Sequence, residues 1–339
     1  MVKARKYVVK KVFQGLPKRE DFEIVEYELP ALKNGEILVK VEWVSVDPYM
    51  RSYNSIVQEG SGITPYDQFG YQIGLVKESR DARYPVGTRV VSHKGWCDYA
   101  VIDTNVPDKI TGPLYKLPDL SGLSNSFGIG AAGMPGATAY FGLLEVCQPK
   151  EGETVVVTGA AGAVGSVVGQ IAKIKGYKVI GFAGSDEKVK WLEEIGFDKA
   201  INYKTADVAA ALKEAAPGGV DCFFDNVGGD VSNEVIYQMN EFGRVAICGS
   251  ISVYNLDRDK RPKGAMLQPV ILGKQLKIEG FSLMRWLDQQ SVAHEQLIKW
   301  IRSGKLIPRE HVTEGFENIY DAFVGMLKGE NVGKAVVKL

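Results

Sequence analysis

TVVVTGAAGAVGS, residues 154–166, is the stretch that decides how this chain folds. Val155, Val156 and Val157 are β-branched and suit a strand buried on both faces. Gly159, Gly162 and Gly165 follow at once, and Val164, Val167, Val168, Ile171, Ala172 and Ile174 then recur at helical spacing. A tight turn of small residues between strand and helix lets backbone approach a pyrophosphate. The helix start offers free N–H groups and the positive end of its dipole. The spacing GxxGxxG is a variant of the GxGxxG dinucleotide fingerprint. Glycines also serve turns and close packing, so the placement between strand and helix carries the reading.

Working outward, strand and helix patterns alternate on the C-terminal side. KVIGFAG (178–184), residues 200–202, DCFFDNV (221–227), GRVAICGS (243–250) and LKIEGFSL (276–283) read as strands. Helical patterns near 186–195, 206–215, 230–239 and 288–302 separate or follow them. Such alternation predicts a parallel sheet with helices on both faces, an α/β doubly wound unit. On the N-terminal side, ILVKVEWVSVD (37–47), IGLVKES (73–79), TRVVSHK (88–94) and CDYAVID (97–103) are short β-rich runs broken by Gly, Pro and Asn. The latter half of 128–146 reads as helix. The tail adds a helix near 317–327 and a β run, KAVVKL (334–339). The expected organisation is a mostly β domain at 1–124, a dinucleotide-binding domain at 125–302 inserted into it, and a returning segment of the first domain at 303–339.

A length of 339 residues agrees with two domains, and 45% apolar with 24% charged residues is ordinary for a globular chain. The 41 basic and 41 acidic residues balance, so no basic excess points to nucleic acid or an anionic membrane surface. No apolar run is long enough to span a bilayer, and the basic N-terminus lacks a signal-peptide core. Cys97, Cys147, Cys222 and Cys248 lie far apart without a CxxC pair, which reads as buried thiols in a reducing compartment, the cytoplasm.

An NAD-selective domain carries an acidic residue at the tip of its second strand, where it binds the ribose 2′-hydroxyl. Here the tip is Ala183, Gly184 and Ser185, and none is acidic. Lys188 lies one turn into the next helix, where it can pair with a 2′-phosphate; Asp186 and Glu187 suit that helix's first turn, with Ser185 as its cap. NADP(H) is the expected cofactor.

Beyond these readings, the chain resembles the medium-chain dehydrogenase/reductase superfamily, most closely its zinc-free branch of prostaglandin reductases and plant alkenal double-bond reductases. The resemblance spans nearly the whole chain. It rests on VDPYMR (46–51), GMPGATAYFGLLE (133–145), GAAGAVGSVVGQIAK (159–173), GSDEKVKWL (184–192), FDNVGG (224–229), ICGSISVYN (247–255) and GFENIYDAFVGMLKGENVGKAVVKL (315–339). It implies a Rossmann doubly wound parallel sheet inserted into a mostly β, GroES-like catalytic domain.

The resemblance also implies roles for residues. Gly162, Ala163, Val164 and Gly165 would hold the pyrophosphate, and Lys188 and Tyr203 the 2′-phosphoribose. Asn226, the loop Cys248, Gly249, Ser250, Ile251, Ser252, Val253 and Tyr254, then Phe281, Ser282, Leu283 and Asn331, would border the rest of the cofactor. Asn226 and Asn331 also suit turns. Tyr254 is the catalytic candidate, its phenol donating to a developing enolate. Tyr49, Arg51, Met284 and Trp286 are the substrate-side candidates: Tyr49 lining the enone pocket, Arg51 guiding an anionic tail, Met284 and Trp286 in a mobile lid. Each has a plainer reading in packing or a structural ion pair. FSLMRW (281–286) and TPYDQFGYQIG (64–74) depart from the vertebrate members' pattern near that pocket.

A catalytic zinc needs thiolate and imidazole ligands. SVDPYMR offers Asp47 and no Cys, Gly70-Tyr71-Gln72 replaces the GHE motif, and His93, His294 and His311 lack ligand spacing to any Cys. No metal is expected, and all three histidines read as core or surface residues. Hydride addition to the β-carbon of an enone needs less polarisation of the carbonyl than alcohol oxidation does, and one hydrogen-bond donor can serve it. The expected activity is therefore NADPH-dependent reduction of conjugated enones and enals, and the resemblance implies a homodimer. A zinc-free quinone reductase and a non-catalytic NADPH-binding protein are the alternatives.

Overall fold

The computed structural model describes residues 3–60, 64–108, 114–256 and 258–339. It divides into two compact units, one of Met1–Gly130, Glu310–Asn331 and Ala335–Leu339, the other of Ala131–Arg309 and Val332–Lys334.

The first unit opens with β1 (Lys3–Val9), β2 (Phe22–Glu28) and β3 (Glu36–Ser45), followed by α1 (Tyr49–Gly60). Then come β4 (Tyr66–Asp67), β5 (Gln72–Ser79), β6 (Arg89–Ser92), β7 (Tyr99–Asp103) and β8 (Tyr115–Lys116). In β3 the two-residue period is clear: Ile37, Val39 and Val41 enter the main core with Trp96, while Leu38 packs on the other side with Ala4 and Leu29. β3 pairs antiparallel with both β5 and β7. The sequence signals place the four β-rich runs, but they do not give α1, whose residues follow a strand end without a capping signature.

The second unit begins with α2 (Met134–Phe141), continued by a π-helical turn at Gly142–Cys147. β9 (Thr154–Val157), α3 (Gly165–Ile174), β10 (Lys178–Ala183), α4 (Asp186–Glu194), β11 (Lys199–Asn202) and α5 (Val208–Ala215) follow. The rest is β12 (Val220–Asp225), α6 (Gly229–Tyr237), β13 (Met239–Ile247), α7 (Gln268–Gly273), β14 (Lys277–Gly280) and α8 (Gln290–Arg302). The strands form one parallel sheet in the order β11-β10-β9-β12-β13-β14. Val155, Val156 and Val157 are fully buried at its centre. The strand order reverses beside β9, and in such sheets ligands bind beyond the strands' carboxyl ends at that switch. α3 lies close on the sheet because a side chain at Gly169 would enter the ring of Phe197.

The chain returns to the first unit through β15 (Glu310–Glu314), α9 (Ile319–Lys328) and β16 (Lys334–Lys338). There β16 pairs antiparallel with β3, and Phe316, Ile319 and Phe323 join the first unit's core. Among the described residues no helix is long and apolar enough to cross a membrane.

Candidate active site

At the end of β9 the chain turns through Gly159, with φ +58°, into α3. A Cβ on Gly165 would collide with the Gly159 carbonyl oxygen and stand 2.8 Å from the Ala160 Cα, so only glycine allows this approach. No hydrogen bond among the described residues takes the N–H of Ala163, Val164 or Gly165. Three such N–H groups at the start of a helix can cradle a phosphate group. The tail closes it from one side: Gly333 pairs with Gly162 and donates its N–H to the Ala161 carbonyl at 2.8 Å. Asn331 lies two residues before Gly333.

The tip of β10 is a second polar site. Ser185 caps α4 by accepting the Lys188 N–H. A Cβ on Gly184 would meet the Tyr203 hydroxyl at 2.9 Å and the Lys204 Cε at 3.2 Å, so both side chains stand beside the strand tip. The Lys188 ammonium is pushed below its ordinary pKa, by burial first and by the Lys204 charge second. Two cations converging where an NAD-selective domain would place a carboxylate fit a phosphate ester. Lys204 is absent from the sequence reading. Its only signal is adjacency to Tyr203, and the turn that brings it back is fixed by Asn202, whose Oδ1 accepts the Lys204 N–H at 3.1 Å.

Beyond β12, the buried carboxylate of Asp225 organises the turn. Its Oδ1 accepts from the Thr158 hydroxyl at 2.7 Å, the N–H groups of Val227 and Gly228 at 2.9 and 3.0 Å, and the Ser232 hydroxyl at 2.8 Å. Asn226 donates its side-chain amide to the Thr158 carbonyl at 2.7 Å, tying the ends of β12 and β9 together. The loop from Cys248 to Tyr254 is laid on this turn: Cys248 N–H reaches the Asp225 carbonyl, Ile251 N–H that of Asn226, and Ser252 N–H that of Val227. Tyr254 folds back so that its hydroxyl oxygen accepts the Ser250 N–H at 3.1 Å, close over Gly249. Burial raises the Tyr254 phenol above its ordinary pKa and keeps it protonated at neutral pH. Burial likewise pushes the Cys248 thiol up to about 12, so it is no nucleophile here.

Phe281 donates its N–H to the Ile247 carbonyl, and its ring fills the space left by Gly142 beside Phe224. Ser282 starts the following helical turn, Leu283 is buried, and Met284 is exposed. Trp286, expected in a mobile lid, packs in the interior instead: its ring stacks on Phe141 with centroids 5.1 Å apart and meets Phe281 edge-on.

In the first unit Tyr49 stands at the start of α1, its ring stacked with that of Phe69. Arg51 corrects the sequence reading. It is only 2% exposed, donates Nε to the Gly15 carbonyl at 3.1 Å and lies over the Phe13 ring, so it is not placed to guide a substrate tail. Of the three histidines, His93 and His294 are buried and His311 is exposed. The side chains at the positions of a zinc ligand set do not fit a metal. Asp47 is hydrogen-bonded to Ser45, and at the GHE position the Gln72 side chain is an amide that donates to Ser92. Among the described residues no three His, Cys, Asp or Glu side chains gather as a metal site.

Comparison with known proteins covers both units. Residues 5–110 match a family described as the N-terminal domain of oxidoreductase, and residues 163–302 match one described as zinc-binding dehydrogenase. The chain is 49% identical over 340 residues to prostaglandin reductase 1 of Bos taurus, covering all of both chains. It is 39% identical to the NADP+-dependent 2-alkenal reductase of Nicotiana tabacum, covering 99% of this chain and 97% of the relative. The crystal structure of CurA in complex with NADPH from Vibrio vulnificus superposes with a TM-score of 0.88 at 36% identity, covering 98% of each chain.

Proposed function

The chain belongs to the medium-chain dehydrogenase/reductase family, in the branch of the prostaglandin and 2-alkenal reductases, and from that premise we infer that it reduces the carbon–carbon double bond of conjugated enones and enals with NADPH. NADPH, when bound, supplies the hydride that the substrate's β-carbon accepts. The N–H groups of Ala163, Val164 and Gly165 hold its pyrophosphate. Lys188, Lys204 and Tyr203 take its 2′-phosphate, and Asn226, the loop 248–254, residues 281–283 and Asn331 position the remainder.

As the β-carbon gains the hydride, negative charge moves onto the substrate's carbonyl oxygen. Tyr254 is the donor proposed to meet that charge. The observation that carries this is its hydrogen bond from Ser250: with the phenol oxygen already accepting an N–H, its own proton is left to donate, and the incoming bond makes it a stronger donor. Tyr49 is proposed to line the enone pocket. The test is NADPH oxidation against a panel of 2-alkenals, aryl and alkyl enones, 15-oxo-prostaglandins and quinones. We expect turnover of the enals and enones with saturation of the double bond in the product. Turnover of quinones alone, or of none, overturns the reading.

We propose further that two copies pair through β14, the last strand in the second unit's sheet among the described residues. Phe242, Leu272 and Ile278 are exposed apolar side chains on or beside that edge, where a second copy would cover them. The four cysteines are free thiols, which suits the reducing cytoplasm.

A further inference from the structure

The first unit holds a line of polar side chains that enone reduction, as described so far, does not use. The Tyr49 hydroxyl and His93 Nε2 are 3.0 Å apart, and the two rings lie within 22° of parallel. Among the described residues His93 Nδ1 has no hydrogen-bond partner, and it faces Asp108 Oδ1 at 3.6 Å. A cavity of about 30 Å³ adjoins them, lined in part by Tyr71, Ser92, His93, Asp108 and Tyr115. That is room for one water molecule among several polar groups. The His93 side chain is 1% exposed and that of Asp108 is 32% exposed, so the line runs from a shielded phenol through a buried imidazole to a carboxylate that meets solvent.

We propose that Tyr49 delivers the proton that the substrate's α-carbon needs after hydride transfer, and that His93 and Asp108 are positioning residues that restore it. The proposal rests on the enone-reductase reading. In the step, the Tyr49 O–H bond breaks and the enolate's electron pair forms the α-carbon–hydrogen bond as the carbonyl is re-formed. The phenolate takes the Nε2 proton of neutral His93 as the free Nδ1 lone pair takes one from water in the cavity. Asp108 orients that water, one proton is drawn from solvent per turnover, and the ring returns to its Nε2–H form by exchanging protons with solvent once the product has left. In its Nε2–H form the ring offers a hydrogen to the Tyr49 oxygen and leaves Nδ1 to accept one from water.

Burial, reinforced by the charges of Asp47 and Asp108 and by Tyr71, holds the Tyr49 phenol well above its ordinary pKa. A phenolate there is costly, and a donor within hydrogen-bond reach removes that cost as it forms. The titratable groups that face His93 are Tyr49 from α1, Tyr71 ahead of β5, Lys94, Asp108, and Tyr115 from β8.

The experiment is steady-state kinetics on one enone over a pH series, with single and double variants. Tyr49→Phe and His93→Phe are each expected to lower kcat roughly ten- to hundredfold, at the lower end of acid–base contributions, with KM little changed. The double variant should be no slower than the slower single, as for residues acting as a unit. His93→Ala should regain turnover on added imidazole, which a packing role does not predict. Asp108→Asn, a change at a part-exposed side chain, should shift the pH limb of kcat without unfolding the protein. Full turnover in folded Tyr49→Phe or His93→Phe protein, or losses that multiply in the double variant, overturns the proton path alone. An unmutated enzyme inactive on every enone overturns the reductase reading and the path with it.

Discussion

Lys188 and Lys204 put two positive charges beside the tip of β10, and each should affect one cofactor and not the other. A charge-assisted phosphate contact contributes about 1.5–3 kcal/mol, so Lys188→Ala and Lys204→Ala should each weaken NADPH binding by roughly tenfold or more and leave NADH unchanged. Fluorescence titration with both nucleotides checks this, and equal weakening of the two would refute it. Tyr254→Phe keeps the ring over Gly249 but removes the proposed donor. Turnover should fall by as much as about 10²–10³ while NADPH affinity stays nearly constant. Unchanged turnover with chemistry rate-limiting would leave Tyr254 as packing alone. Lys188 is legible in the sequence because a helix start after the second strand has a fixed relation to the ribose. Lys204 is not, because a surface lysine after a strand has no signature until Asn202 turns it inward. Nor is His93: TRVVSHK reads as strand, and nothing in a strand pattern says that its last polar residues meet Tyr49 and Asp108.

At the scale of elements, the second unit's sheet is legible because parallel strands buried on both faces need long apolar runs, and the helices between them need amphipathic ones. The first unit is less so. β4 and β8 are two residues each, too short for periodicity, and α1 gains its place from neighbours such as Phe69 rather than from caps. Arg51 shows the same limit: a charged side chain reads as surface, yet the Gly15 carbonyl and the Phe13 ring give it an interior place. The turn into α3 makes a direct prediction. Gly165→Ala forces a Cβ against backbone that cannot retreat, so it should lower stability by about 1–3 kcal/mol and weaken NADPH binding; thermal unfolding and titration read both. α8 makes another. Burial lowers His294 from 6.5 to about 4, so the unfolded chain takes up this proton first as the pH falls. Stability is therefore intact above about pH 6.5 and declines by up to about 1.4 kcal/mol per pH unit on the way to pH 4. Urea unfolding at several pH values should show that decline flattened in His294→Leu; an unaltered slope would rule His294 out as its source.

For the whole molecule, pairing through β14 predicts a mass of two chains by light scattering at micromolar concentration, and charged substitutions at Leu272 and Ile278 should shift it toward one. A single-chain mass for the unmutated protein would refute the edge as an interface. The order of segments along the chain has a separate consequence for biosynthesis. Trp43 in β3 pairs with Lys338 in β16, and the entire second unit is translated between them. At ribosomal speeds of ~5–20 residues per second, β3 waits on the order of tens of seconds for that neighbour. Throughout that delay the nascent first unit carries an open strand edge, while the second unit can collapse on its own sheet as it emerges. A chaperone that shields exposed strands on the ribosome has its window on this protein there.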